Sequence, residues 1–255
     1  MSATYAVSDT LVMTKRNLVV WSRVPAIIVF TIVQPTIFTL LFRYVFGGAI
    51  PVAIPGGYVN YLLPGIVGQT AAFASMGTAI ALAAEVQKGV VDRLRAMPMA
   101  RVAFLGGRLL ADIVRMAFTV LIIVGVGYIV GFRFLNGVGP AIGMIGLAIA
   151  LGSAMCLVSA TIGLVLKNEE STQAFGLIWL FPLTFVSSAF VPVQTMPGWL
   201  QAFANNQPVT HVVNALRSLA IGLPMGDNLW LSCVWLAGIV IVFTPLAVRA
   251  YQRVS

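Results

Sequence analysis

The stretch AIGMIGLAIALGSAMCLVSATIGLVL, Ala141 to Leu166, runs without one charged side chain. A bilayer-spanning helix needs about 20 consecutive apolar residues, and this stretch exceeds that length. Five more runs of the same kind flank it, cut by Gly, Pro and Asn clusters. They reach from Pro25 to Phe42, Tyr61 to Ala84, about Asp112 to Val130, about Thr172 to Val191, and about Asn228 to Val248. The composition agrees, with 60% hydrophobic and 9% charged residues, against roughly a quarter charged in soluble domains. We therefore expect an all-α polytopic membrane protein, one transmembrane domain over residues 1–255 with six transmembrane helices.

The placement of charge orients it. Of 15 Lys and Arg residues, only Arg43, Arg133 and Arg217 fall on the side opposite the N-terminus. The positive-inside rule then puts both termini in the cytoplasm. The net charge of +8 thus reads as topology rather than as affinity for nucleic acid. The polar leader holding Asp9, Lys15, Arg16 and Arg23 lacks the form of a signal peptide and is expected in the mature protein.

Three segments between or before the spans carry their own pattern. Over residues 1–23, Val7, Leu11, Leu18 and Trp21 share a helical face opposite Asp9, Arg16 and Arg23, which fits an interfacial helix on the cytoplasmic leaflet. Residues 192–222 have no charge except Arg217, yet Pro192, Pro197, Gly198, Asn205, Asn206 and Pro208 interrupt them. Irregular backbone at membrane depth must be shielded by protein, so we expect a re-entrant outer hairpin of two short helices, about Pro197–Ala204 and Val209–Gly222. An external loop lying on the headgroups is the alternative. The cytoplasmic loop 85–101 contains Glu85, Lys88, Gly89, Asp92, Arg93, Leu94, Arg95, Met97, Pro98 and Arg101. Leu94, Met97 and Val90 or Val91 share one face of a short helix that Pro98 ends, a surface for a soluble partner. A solvated loop is the alternative there. Arg108, Asp112 and Arg115 follow at helical spacing, a charge ladder on the third span.

Missing motifs exclude several classes. The three lysines follow Thr14, Gln87 and Leu166, so no G-x-x-x-x-G-K-[ST] phosphate loop exists in the chain. Catalytic and metal residues are expected to be none: His211 is the sole histidine, and Cys156 and Cys233 lie in apolar runs. No carboxylate sits near the middle of a span, and no inverted repeat is visible, so ion-coupled transport lacks its usual trace.

Two blocks resemble the permease subunits of type-2 ABC exporters, closest to the daunorubicin-resistance-like multidrug permeases of bacteria. The first holds Glu85, Gly89, Asp92, Arg93, Leu94, Pro98 and Arg101; the second runs Phe190-Val-Pro192, Met196-Pro197-Gly-Trp199-Leu200, Asn206-Gln-Pro208-Val-Thr210 and Arg217. The family usually has Asn directly before that proline, where Gln207 stands here. The resemblance implies a half-transporter in the bacterial plasma membrane, with no cofactor of its own. A separate ATPase in two copies would bind ATP and Mg, and a second permease, identical or paralogous, would complete a dimer. Residues Glu85 to Pro98 would couple to the ATPase, and amphipathic drugs would be the cargo. Gln34, Phe38, Phe73, Met76, Phe181 and Phe185 are the candidates for the substrate path, although packing against lipid or helices accounts for any one of them singly. Export of a lipid or cell-wall precursor is the rival within transport; a membrane enzyme or assembly factor is the rival outside it, and would need a polar cluster at one depth.

Overall fold

The computed structural model describes residues 3–23, 25–47, 54, 56–95 and 101–253. Among them the regular structure is helical: α1 Ala3–Ser22, α2 Pro25–Leu41, α3 Gly57–Gln87, α4 Val90–Arg95, α5 Arg101–Val130, α6 Val138–Leu166, α7 Glu169–Phe185, α8 Gly198–Asn205, α9 Pro208–Ile221 and α10 Asn228–Arg253. Each of the six apolar runs is thus helical. Four helices, α3, α5, α6 and α10, are long and apolar enough to cross a membrane. At 17 residues each, α2 and α7 rise roughly 26 Å. The chain extends α2 by a π-helical turn over Phe42–Phe46.

Two boundaries differ from expectation, each for a local reason. The third run was expected from about Asp112, but α5 starts at Arg101, because Arg108 and Asp112 find partners and do not interrupt the helix. The fifth was expected to reach Val191, but α7 stops at Phe185, where the Val186 N–H closes on Pro182 O at 3.0 Å. At its other end Asn168 accepts the Ser171 N–H at 2.9 Å, with Glu169 and Glu170 in the first turn. That cap and those charges both stabilise a helix N-terminus.

Helix α3 is the centre of the bundle, packed against α2, α5, α6, α7 and α9. Its N-terminal part, Tyr58 to Gln69, is buried on every face. Small residues permit such packing where lipid gives no hydrophobic drive. At Gly163 of α6, a Cβ would stand 2.2 Å from Ala79 O of α3. Likewise Gly107 of α5 seats α1, whose Met13 Cβ would lie 2.5 Å from an added Cβ. Met13 is buried there, while Val7, Leu11 and Val12 of α1 face outward.

The segment before α10 divides in two. Helix α9 is buried among α3, α6 and α10, with Val209, Val212, Val213 and Leu216 at 0% exposure. Helix α8 instead turns Trp199 and Phe203 outward, an aromatic pair of the kind enriched at membrane interfaces. Pro208 opens α9, and Gly222 ends it in the left-handed conformation at φ +75°.

Candidate functional site

A cleft of about 620 Å³ opens between α2, α3, α5 and α7. Gln34 and Phe38 come from α2, Phe73 and Met76 from α3, and Phe181 from α7; all five line it. Phe185, the sixth candidate for the substrate path, stands one helical turn beyond, stacked on Phe181 at 5.1 Å between ring centroids. The rings continue: Phe185 to Phe190 at 5.2 Å, Phe190 to Phe42 at 4.4 Å, and Phe42 back to Phe38 at 6.1 Å. Phe73 meets Phe181 edge-on at 5.4 Å. An aromatic arc therefore runs from the cleft to the turn that precedes the α8–α9 segment.

The cleft is not purely apolar. Gln69, Gln173, Thr70 and Thr119 also line it, and its charged member is Arg115. Arg115 holds the buried Asp112, Nη2 to Oδ1 at 2.8 Å, and donates to Ala74 O at 3.1 Å. Thr78 of α3 donates to the other oxygen of Asp112 at 2.8 Å, and its hydroxyl lies 3.5 Å from Cys156 Sγ of α6. The Nε of Arg115 is buried without a hydrogen-bond partner. Beside this set, Ser159 of α6 donates to Ser75 of α3 at 2.9 Å. A polar cluster at one depth therefore exists, though none was legible in the sequence, because its members come one or two each from three helices.

The ladder extends toward the helix ends. Arg108 Nε lies 3.9 Å from Asp112 Oδ2, and its Nη1 lies 4.0 Å from Glu85 Oε2. Glu85 in turn receives Arg16 Nη2 of α1 at 3.0 Å. Charges of alternating sign thus connect α1, the end of α3 and the cleft wall.

This geometry changes the reading of the 85–98 segment. Glu85, expected within the coupling segment, is turned inward onto Arg16 and Arg108. The apolar face of α4 is also turned inward: Val91 and Leu94 are buried with Met13, Leu82, Phe104 and Tyr251. Arg93 is exposed, and Lys88 pairs with Glu169 of α7 at 3.4 Å. Gly89 adopts φ +65°, a left-handed turn that other residues enter at a cost. Met97, Pro98 and the side chains of Asp92 and Arg95 lie outside the described residues.

Arg217 is the residue that sequence reasoning placed least well. Counted as an external charge, it is 3% exposed inside the bundle. It donates to Tyr61 O and Ala189 O at 2.9 Å, to Asn214 Oδ1 at 3.1 Å, and to Ser188 O, with its guanidinium 3.6 Å from the centroid of the Tyr61 ring. It pins α9 to α3 and to the turn after α7. Gln207, the residue between Asn206 and Pro208, completes this anchor from a buried position by donating to Val186 O. Asn206 is exposed, and its side chain donates to Ala202 O at 2.8 Å.

The pattern of ABC-2 type transporters matches residues 8–221. The chain belongs to that family. It is 33% identical, over 97% of its length and 87% of the relative's, to a daunorubicin resistance ABC transporter permease of Streptomyces coeruleorubidus. It is 32% identical to a probable doxorubicin resistance ABC transporter permease of Mycobacterium tuberculosis, covering 98% of this chain and 90% of that one. A more distant relative, ABC transporter G family member 20 of Dictyostelium discoideum, is 28% identical over 72% of this chain and 25% of its own. The chain is thus a multi-pass membrane permease, and membership of this ABC family implies an ATPase as its partner subunit.

Proposed function

We propose that this permease is half of an ATP-driven exporter that moves amphipathic, aromatic compounds from the cytoplasm or inner leaflet outward. The observation that carries the reading is the cleft between α2, α3, α5 and α7. Its three phenyl rings suit a flat apolar body, and its amides and hydroxyls suit polar substituents. The relatives named for daunorubicin and doxorubicin resistance favour a drug over a lipid precursor. The aromatic arc toward Phe190 supplies a wall along which such a molecule moves.

In this reading all six apolar helices span, both termini are cytoplasmic, and α8–α9 form the re-entrant outer hairpin. The lipid-free burial of α9 supports the last point, since irregular backbone beside it is then shielded by protein. Two permeases pair around the path, and two ATPases grip the exposed side of residues 85–98, where Arg93 stands out. Closure of the ATPases bears on α4. From there the α1–Glu85–Arg108–Asp112–Arg115 ladder offers a mechanical link to the cleft, provided the two states differ in these contacts.

Reconstitution with the cognate ATPase tests the proposal. Amphipathic aromatic compounds should raise ATP turnover and be carried across, whereas the permease alone should neither bind nor hydrolyse ATP. Turnover that responds only to a lipid precursor, or ATPase activity of the isolated permease, would overturn it.

A further inference from the structure

Away from the cleft, a second hollow of about 440 Å³ lies between α6 and α10. Thr161, Leu164 and Val165 of α6 face Leu246, Ala250 and the cations Arg249 and Arg253 of α10, with Lys167 at the end of α6. The spacing on α10 places 246, 249, 250 and 253 on one helical stripe. Lys167 and Arg253 lie at helix C-termini, where positive charge is favoured by the macrodipole. That accounts for their positions but leaves their charge facing outward. None of the three cations has an ion-pair or hydrogen-bond partner among the described residues, and no carboxylate lines the hollow. Each charge of the α5 ladder has a partner of opposite sign, whereas those of this cluster have none among the described residues.

We infer that the hollow binds the phosphate headgroup of an anionic phospholipid, with an acyl chain lying along Val165 and Leu246. A free phosphate compound would share the headgroup chemistry, but it would have no use for the apolar floor. That floor is continuous with the outer surface of the bundle, as Val165 and Leu246 are 62% and 38% exposed. Basic hollows between helix ends at the membrane surface suit anionic headgroups, and the cytoplasmic leaflet, where the proposed orientation puts this one, is rich in them. Such a lipid would bridge α6 and α10 directly beside the buried Leu164, Ala247 and Tyr251. It would brace the joint on which α4 also packs.

The experiment uses the full chain purified in mild detergent, with native mass spectrometry reading lipid retained from equal additions of phosphatidylglycerol and phosphatidylcholine. The variant Lys167→Gln/Arg249→Gln/Arg253→Gln alters exposed side chains only, and an unchanged unfolding midpoint in phosphatidylcholine verifies its fold. Each cation near an anionic surface strengthens attachment roughly fivefold, so the variant should retain phosphatidylglycerol about a hundredfold more weakly. A control, Lys15→Gln/Arg23→Gln/Arg93→Gln, removes equal charge elsewhere and should bind as the unmodified chain does. Undiminished phosphatidylglycerol binding in the first variant, or an equal loss in the control, overturns the site. Displacement of the lipid by glycerol phosphate at the same concentration overturns the lipid as its occupant.

Discussion

At the scale of single residues, Asp112 decides more than its position in the sequence suggests. It joins two arginines and a threonine in a buried setting, so its removal strands Arg115 without a counter-charge and leaves Arg108 only its longer contact to Glu85. Breaking a buried pair from one side typically costs about 3 kcal/mol, while replacing both partners by neutral groups costs far less. We expect Asp112→Asn to destabilise the permease by that order and Asp112→Asn/Arg115→Gln to recover most of it, measured by unfolding in detergent. A double variant no better than the single would mean that the two side chains are not coupled. The phenyl rings of the cleft act differently. Phe73 and Phe181 support each other edge-on, and a bound aromatic compound would replace or extend that pair. Such contacts contribute about 1 kcal/mol each beyond area, so Phe181→Leu should raise the concentration for half-maximal transport about fivefold with expression unchanged. An unaltered concentration dependence would remove Phe181 from the path.

At the scale of elements, the short helix α4 and the end of α3 have opposite faces with different work. Val91 and Leu94 hold α4 to the permease, while Arg93 is exposed on the side proposed for the ATPase. Glu85 belongs to neither surface, since it fastens α1 through Arg16. Arg93→Glu should therefore leave folding intact and weaken ATPase co-purification or uncouple its turnover, because like or missing charges in a desolvated contact cost several kcal/mol. Glu85→Arg should instead loosen α1, exposing the leader to limited proteolysis. The exchange Arg16→Glu/Glu85→Arg should restore protection. Normal coupling in Arg93→Glu, with the ATPase bound, would show that residues 85–98 are only a connection. Sequence periodicity put Val91 and Leu94 on one apolar face, as the structure has them, but it could not say which surface that face meets.

At the scale of the whole molecule, the orientation in the membrane is open to direct measurement. Cysteines introduced at Arg133 and His211, in a background lacking Cys156 and Cys233, should react with an impermeant reagent added from outside. Cysteines at Lys15 and Arg253 should react only once the membrane is opened. The reverse pattern would defeat the argument from charge bias. In the same background, a cysteine at Ala204 should resist a bulky aqueous thiol reagent, since Ala204 is wholly buried. One at Asn206 should react, because that side chain is exposed.

Features that are local or one-dimensional were legible in residue type and spacing. Uninterrupted apolar runs can satisfy their backbone in a membrane only as helices, so the six helical runs were legible from residue type alone. The absent phosphate loop and the family-like blocks were equally legible, since each is a matter of spacing along one strand of chain. Gln34, Phe38, Phe73, Met76 and Phe181, proposed as path residues because aromatic, amide and thioether side chains stand out in apolar helices, line one cleft. The tertiary structure alone decided their partners. Arg217 reads as an external charge and proves to be a buried anchor, because the carbonyls that solvate it belong to α3 and to the turn after α7. Asp112 reads as a boundary charge and proves to be the centre of a cluster, because Thr78 of α3 and the arginines of its own helix reach it, with Cys156 of α6 behind Thr78. Electrostatic and hydrogen-bonding partners are fixed by distance in space, and in a bundle whose helices meet through Gly163 and Gly107 that distance is set by packing that no single stretch of sequence contains.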